Sequence, residues 1–177
     1  ARAYNVKYTP VVFDQFNEVV NAFAAGRFDV YTTDASGLAS IRISKLSNPD
    51  DYEVLPDLIS KEPLGPFVRQ GDDQWFNVVK WSFQALLNAE ELGLTSANVD
   101  EHLKSSAPNV QRLLGTTPGT GKNLGLEENW AYNIIKQVGN YGESFDRNVG
   151  ENSSLKIPRG LNNLWTKGGL QYGLPIR

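Results

Sequence analysis

The stretch Val11 to Asp34, VVFDQFNEVVNAFAAGRFDVYTTD, decides the fold. Val11-Val12-Phe13 reads as a short buried strand, and Asp14 is placed to cap a helix by accepting from its first free amides. Phe16, Val19, Val20 and Phe23 then recur at i, i+3, i+4 and i+7, one apolar helical face, and Gly26 ends it. Phe28 to Tyr31 is a second short strand. Strand, helix, strand in so little chain is a βαβ unit with parallel pairing, so the fold class expected is α/β.

In an open α/β sheet, ligands bind beyond the carboxyl ends of the strands. Thr32-Thr33-Asp34 follows the second strand directly, and a carboxylate between hydroxyls suits a ligand ammonium. The alternative is that Asp34 only caps the helix read over Ser36 to Leu46, with Leu38, Ile41 and Lys45 along one side.

Further along, Glu53-Val54-Leu55 and Leu64 to Val68 are strand candidates, the latter demoted to an edge or crossover by Pro63, Gly65 and Pro66. Helices follow: Asp73 to Leu92, with Val78, Val79, Phe83, Leu86 and Leu87 inward; Thr95 to Ser105; Pro108 to Leu114, closed by Gly115; Glu127 to Asn140; Tyr141 to Asn148. Thr116 to Gly125 reads as a loop, and Leu161, Leu164 and Trp165 anchor the Gly- and Asn-rich tail. Strands thus fall early and helices late.

Composition narrows the function. The chain has 177 residues, 40% of them hydrophobic and 21% charged, enough for a real core. Its formal net charge of −3, with no Lys/Arg cluster, argues against nucleic acid and anionic membranes as partners. No apolar run nears the ~20 residues of a membrane span. Without cysteine there is neither disulfide nor zinc-thiolate site. Ala1 is no initiator methionine and Ala1 to Tyr4 holds no leader, so an upstream segment is expected.

Other constellations are weaker. Gly119-Thr120-Gly121-Lys122 looks like a phosphate loop, but Thr116 stands where the first glycine belongs, Asn123 replaces the magnesium-binding hydroxyl, and a helix precedes it instead of a strand. His102, the one histidine, lies in a polar stretch and reads as an exposed bystander. Glu143 and Asp146, beside Arg147, read as a solvated charged face more than an acid/base pair. Of Trp75, Trp81, Trp130 and Trp165, three sit among helical apolar residues and read as core. No coherent catalytic set, metal site or cofactor motif emerges, and no enzyme activity is expected.

Several ordered motifs resemble one family. Asp29 to Asp34 with Ser36-Gly37-Leu38 is similar to the second lobe of the polar amino-acid binding proteins of ABC importers. Ile59 to Pro66, then Val68 to Asp73, resembles their second interlobe crossover and the strand returning to lobe one. Leu86 to Gly93, Val138 to Glu143, Arg147 to Gly150 and Gly160 to Tyr172 resemble the general L-amino-acid binding proteins of Gram-negative bacteria.

The resemblance implies the C-terminal half of a two-lobe periplasmic binding fold. Residues 1–61 would be the later part of lobe two, 62–66 the hinge crossover, and 67–177 the last strand, helices and extension of lobe one. It implies a periplasmic protein that captures L-amino acids for a membrane permease, with Asp34 holding the α-amino group and Thr32 and Thr33 nearby. The family's carboxylate-gripping arginine and Ser-Gly-Thr-Thr turn do not occur in the chain, and Phe28 stands at a position implied to be cysteine. A missing N-terminal half, or a second copy, would then complete the site. The alternative is a fragment that serves only as an interaction domain without ligand.

Overall fold

A computed structural model describes residues 5–177; the leader reading for Ala1 to Tyr4 falls outside them. The chain divides into two packing units, Ala1–Glu62 and Pro63–Arg177.

In the first unit, helix α1 (Phe16–Ala24) and helix α2 (Ala35–Ser44) carry the packing. Val20, Ile41 and Leu46 form a small buried core, with Val19, Phe23, Tyr31 and Tyr52 against it. The i, i+3, i+4, i+7 face of α1 is therefore the buried one, except that Phe16 at its start stays exposed. Phe23 is the hub, its ring 5.6 Å from Phe28, 5.8 Å from Tyr31 and 5.4 Å from Tyr52. Such aromatic pairs each add ~1 kcal/mol beyond area burial. Asp14 does not cap α1. Gln15 occupies that position without a side-chain bond, leaving Asp14 one residue too early to reach the first amides.

The expected strands are not formed. Residues 11–13, 28–31, 53–55 and 64–68 have no ladder partners, and the one β-bridge among the described residues joins Leu164 to Gln171. Several of their apolar side chains lie in solvent, Val12 83% exposed and Phe67 97%, while Phe28 and Tyr31 pack on Phe23. The β pattern marks residues suited to a pleated, half-buried surface. That surface exists only beside a neighbouring strand, and no other segment described here supplies one.

The second unit is helical. Helix α3 (Asp73–Glu91) begins at Asp72, whose carboxylate accepts from Trp75 N at 3.0 Å. It packs on α5 (Pro108–Leu114), α6 (Thr120–Leu124), α7 (Trp130–Val138) and α8 (Tyr141–Asn148), while α4 (Val99–His102) packs on α7. The core joins Ala85 and Ala89 of α3 with Leu94, Val99, Val110, Leu113, Leu114, Leu124, Trp130, Ala131 and Ile135. Ala85, Ala89 and Ala131 are fully buried, so small side chains bring helices close. Trp75, read as core, is 54% exposed, because nothing among the described residues covers that face of α3. The segment read as a loop over Thr116 to Gly125 contains α6.

The tail is stitched along one polar stripe of α3. Leu174 N donates to Gln84 Oε1, Asn88 Nδ2 to Leu174 O, and Gly173 N and Trp165 Nε1 to Glu91 Oε1. Gln84, Asn88 and Glu91 stand at i, i+4 and i+7, so one helix face meets the tail repeatedly. Leu164 is buried there, whereas Leu161 and Trp165 are about half exposed, so only one of the three expected anchors is a core residue.

Candidate functional site

Tyr31 is held by its packing on Phe23, which fixes the chain just before Thr32-Thr33-Asp34. Thr32 and Thr33 are exposed and Asp34 is half-buried. Residues 28–31 form no ladder, with a bend at Asp29, so the triplet follows an irregular segment and not a sheet strand.

Asp34 takes the N-cap position of α2, with φ −55° and ψ 141°, and its carbonyl accepts from Leu38 N at 2.9 Å. Its carboxylate makes no capping bond. It also joins none of the ion pairs among the described residues. The capping alternative is therefore not the one adopted. A half-buried carboxylate not used by the fold, beside two exposed hydroxyls, can take a charge-assisted bond from a ligand ammonium. It cannot by itself hold a ligand carboxylate, since neither Thr nor Asp brings a positive charge.

The other candidates are absorbed by structure. In the phosphate-loop look-alike, Glu128 fills the place an anion would take. Its carboxylate accepts from the amides of Gly119 at 2.8 Å, Gly121 at 3.1 Å and Lys122 at 3.2 Å. Those backbone bonds, Gly119 and Gly121 foremost, hold the Glu128 carboxyl below the usual glutamate range. A lowered folded-state pKa contributes stability above the unfolded value that is lost as pH falls through the folded one. Glu128→Gln is thus expected to lower the melting temperature at neutral pH. The gap from wild type should close on acidification below the ordinary glutamate range; a gap constant from pH 7 to pH 2 would show that charge has no part.

Glu143 is likewise not part of a solvated face. It completes a capping box with Asn140, its Oε2 accepting from Asn140 N at 2.8 Å, and its Oε1 accepts from Ser96 Oγ at 2.7 Å. His102 ends α4 and is half-buried, not fully exposed. On the surface, Lys136 and Tyr132 both donate to Asp100, which lowers the Asp100 carboxyl pKa, the lysine contributing most. Trp130 is buried and Trp81 packs on the core. Among the described residues, no group of three His, Cys, Asp or Glu could hold a metal ion, and no helix is long and apolar enough to cross a membrane.

Sequence reasoning missed the Arg159–Glu90 pair. Arg159 Nη2 lies 3.0 Å from Glu90 Oε2, with side chains 17% and 9% exposed. Its guanidinium sits 5.2 Å from the rings of both Tyr141 and Phe145. Sixty-nine residues separate the partners, and no local pattern announces such a contact.

No family profile matches the chain. The chain is 59% identical over 175 residues to the general L-amino acid-binding periplasmic protein AapJ of Rhizobium johnstonii, covering 98% of this chain and 51% of AapJ. It is 56% identical over 177 residues to the putative amino-acid ABC transporter-binding protein YhdW of Escherichia coli K12, covering 99% and 52%. The glutamate/glutamine/aspartate/asparagine-binding protein BztA of Rhodobacter capsulatus is 50% identical, with coverage of 99% and 52%. Among solved structures, an ABC transporter/periplasmic binding protein from Brucella ovis with glutathione bound superposes with a TM-score of 0.91 at 55% identity. That match covers 99% of this chain and 55% of the Brucella chain. The chain thus spans about half the length of the curated relatives it matches. In sequence and in fold the chain corresponds to about half of a periplasmic binding protein of an amino-acid ABC transporter.

Proposed function

We propose that this chain supplies one side of the ligand site in a periplasmic solute-binding protein, which captures L-amino acids and hands them to the permease of an ABC importer. It is a binding component and not an enzyme. The observation that carries the reading is the Asp34 carboxylate, which stands at the start of α2 without capping it. The ligands named for relatives support it. Glutamate, glutamine, aspartate and asparagine share an α-ammonium and α-carboxylate, and glutathione bears the same pair at its γ-glutamyl end. Asp34 would take the ammonium, with Thr32 and Thr33 beside it.

In this reading residues 1–61 belong to lobe two, 62–66 form the hinge crossover, and 67–177 are the C-terminal part of lobe one. Pro63 and Pro66 lack amide donors, as suits a crossover. The ligand's carboxylate would be gripped by groups from the other half of a full-length protein. The same half would pair the extended segments and cover Val12, Leu55, Leu64 and Phe67.

Calorimetry with a panel of L-amino acids tests this on full-length protein carrying the chain and on the chain alone. The full-length protein should bind at micromolar Kd or better. The chain alone should bind far more weakly, since one exposed ion pair contributes about 0–1 kcal/mol. Asp34→Asn should weaken full-length binding by ~2 kcal/mol or more, about thirtyfold, the low end for losing one partner of a buried charged pair. Unchanged affinity in Asp34→Asn refutes the site. Micromolar binding by the chain alone refutes the division of labour between halves, leaving a complete site within these residues.

A further inference from the structure

We infer that Gly37 is a positioning residue for the ligand site, keeping open the space into which Thr33 packs so that Thr33 and Asp34 hold their places; this rests on the reading of Asp34 just given. Gly37 lies in the first turn of α2, a place where glycine is a poor choice. Within a helix it is less stable than alanine, because the freer backbone loses more entropy on folding. Helix stability gives no reason for a glycine there.

The surroundings supply one. A Cβ built on Gly37 would lie 3.3 Å from Thr33 Cγ2, 3.9 Å from Thr33 Oγ1 and 3.9 Å from Asp34 Cβ. Those are the nearest atoms it would meet, and all belong to two of the three proposed site residues. The 3.3 Å approach is tighter than ordinary van der Waals contact, so an added methyl would press on the Thr33 methyl. Thr33 is β-branched and stiff at χ1, so it answers by turning off its rotamer or by shifting the backbone that leads into Asp34. Either response moves a ligand-facing hydroxyl or carboxylate. Gly37 has φ in the ordinary helical range, so alanine fits the backbone itself.

The prediction separates function from fold. Without ligand, Gly37→Ala should leave the melting temperature of the full-length protein unchanged or higher. With L-glutamate, L-glutamine or L-aspartate as probe, it should weaken affinity by about two- to tenfold, the range for a side chain forced roughly 30° off its rotamer. Thr33→Ser removes the methyl that the new Cβ would press on. In the Thr33→Ser background, Gly37→Ala should therefore cost little or no affinity, each variant being compared with its own parent.

A double-mutant cycle reads that coupling directly. Equal losses in the Thr33 and Thr33→Ser backgrounds, or unchanged affinity in Gly37→Ala, would overturn the inference. A fall in melting temperature with unchanged affinity would also overturn it, by making Gly37 a purely structural glycine. Asp34→Asn run alongside distinguishes this from failure of the site itself. If Asp34→Asn binds normally the site reading falls; if it loses binding while Gly37→Ala does not, only the positioning role falls.

Discussion

Arg159→Ala should lower the stability of the Pro63–Arg177 unit by about 3–5 kcal/mol, the usual result of removing one partner from a largely buried ion pair. Arg159 Nη2 donates to both Glu90 oxygens, at 3.1 and 3.0 Å, and to Asn162 O at 3.1 Å. Its plane lies against Tyr141 and Phe145, so alanine removes packing and cation–π attraction as well as charge. The larger harm falls on Glu90, left with a charge that water barely reaches. Urea unfolding should show a lower midpoint with a nearly unchanged slope. Replacing both partners with methionine should recover much of the loss, since apolar side chains carry no stranded charge. A loss below ~1 kcal/mol for Arg159→Ala would mean that the pair behaves as a surface one.

Gly115→Ala is expected to be nearly as harmful, roughly 2–5 kcal/mol. Gly115 ends α5 at φ +76°, a left-handed conformation that costs about 1–2 kcal/mol for a residue with a Cβ. Space is the second objection. The added Cβ would come within 1.9 Å of Glu128 O and 2.5 Å of Glu128 C, both backbone atoms that no rotamer change can move. Overpacking of that kind costs about 1–3 kcal/mol more. The shift would spread into the turn where Glu128 holds the amides of Gly119 and Gly121, so those two amides should lose hydrogen-exchange protection first. Stability within 0.5 kcal/mol of wild type would contradict the close approach of these backbones.

Helices were legible where a strong apolar period met clear end signals. Pro108 to Leu114 was readable to the residue because Pro108 and Gly115 speak locally, and the bounds of Tyr141 to Asn148 were also met, although its Asn140 cap had been read as the end of the preceding helix. The inward role of Ala85 and Ala89 was not, since alanine is as common on helix surfaces as inside and gives no periodic signal. The segments read as strands form no ladder for a different reason. Their sequence pattern states a need for a neighbour, and it says nothing about whether the neighbour lies in the same stretch of chain.

Asp34 was legible as a residue at the start of α2, but the state of its carboxylate was not. Local sequence leaves open whether its carboxylate caps α2 or stands free, and only the side-chain geometry decides. Gly37 had a signal available, a glycine inside an expected helix, yet its meaning depended on the 3.3 Å approach of Thr33. Glu128 and Arg159 reach partners through turns and across helices, as Glu143 does to Ser96, and no spacing rule anticipates those contacts.

The stripe of Gln84, Asn88 and Glu91 along α3 fixes an order of events as well as a structure. Its bonds to Gly173 and Leu174 span 82 to 90 residues of chain, and closing loops of that length early in folding would cost on the order of 4 kcal/mol. Contacts so remote in sequence become favourable only after the helices between have already folded into a core and brought their ends near. The last residues therefore work like the tuck of an envelope flap: added when everything beneath is in place, and first to lift when the unit begins to open.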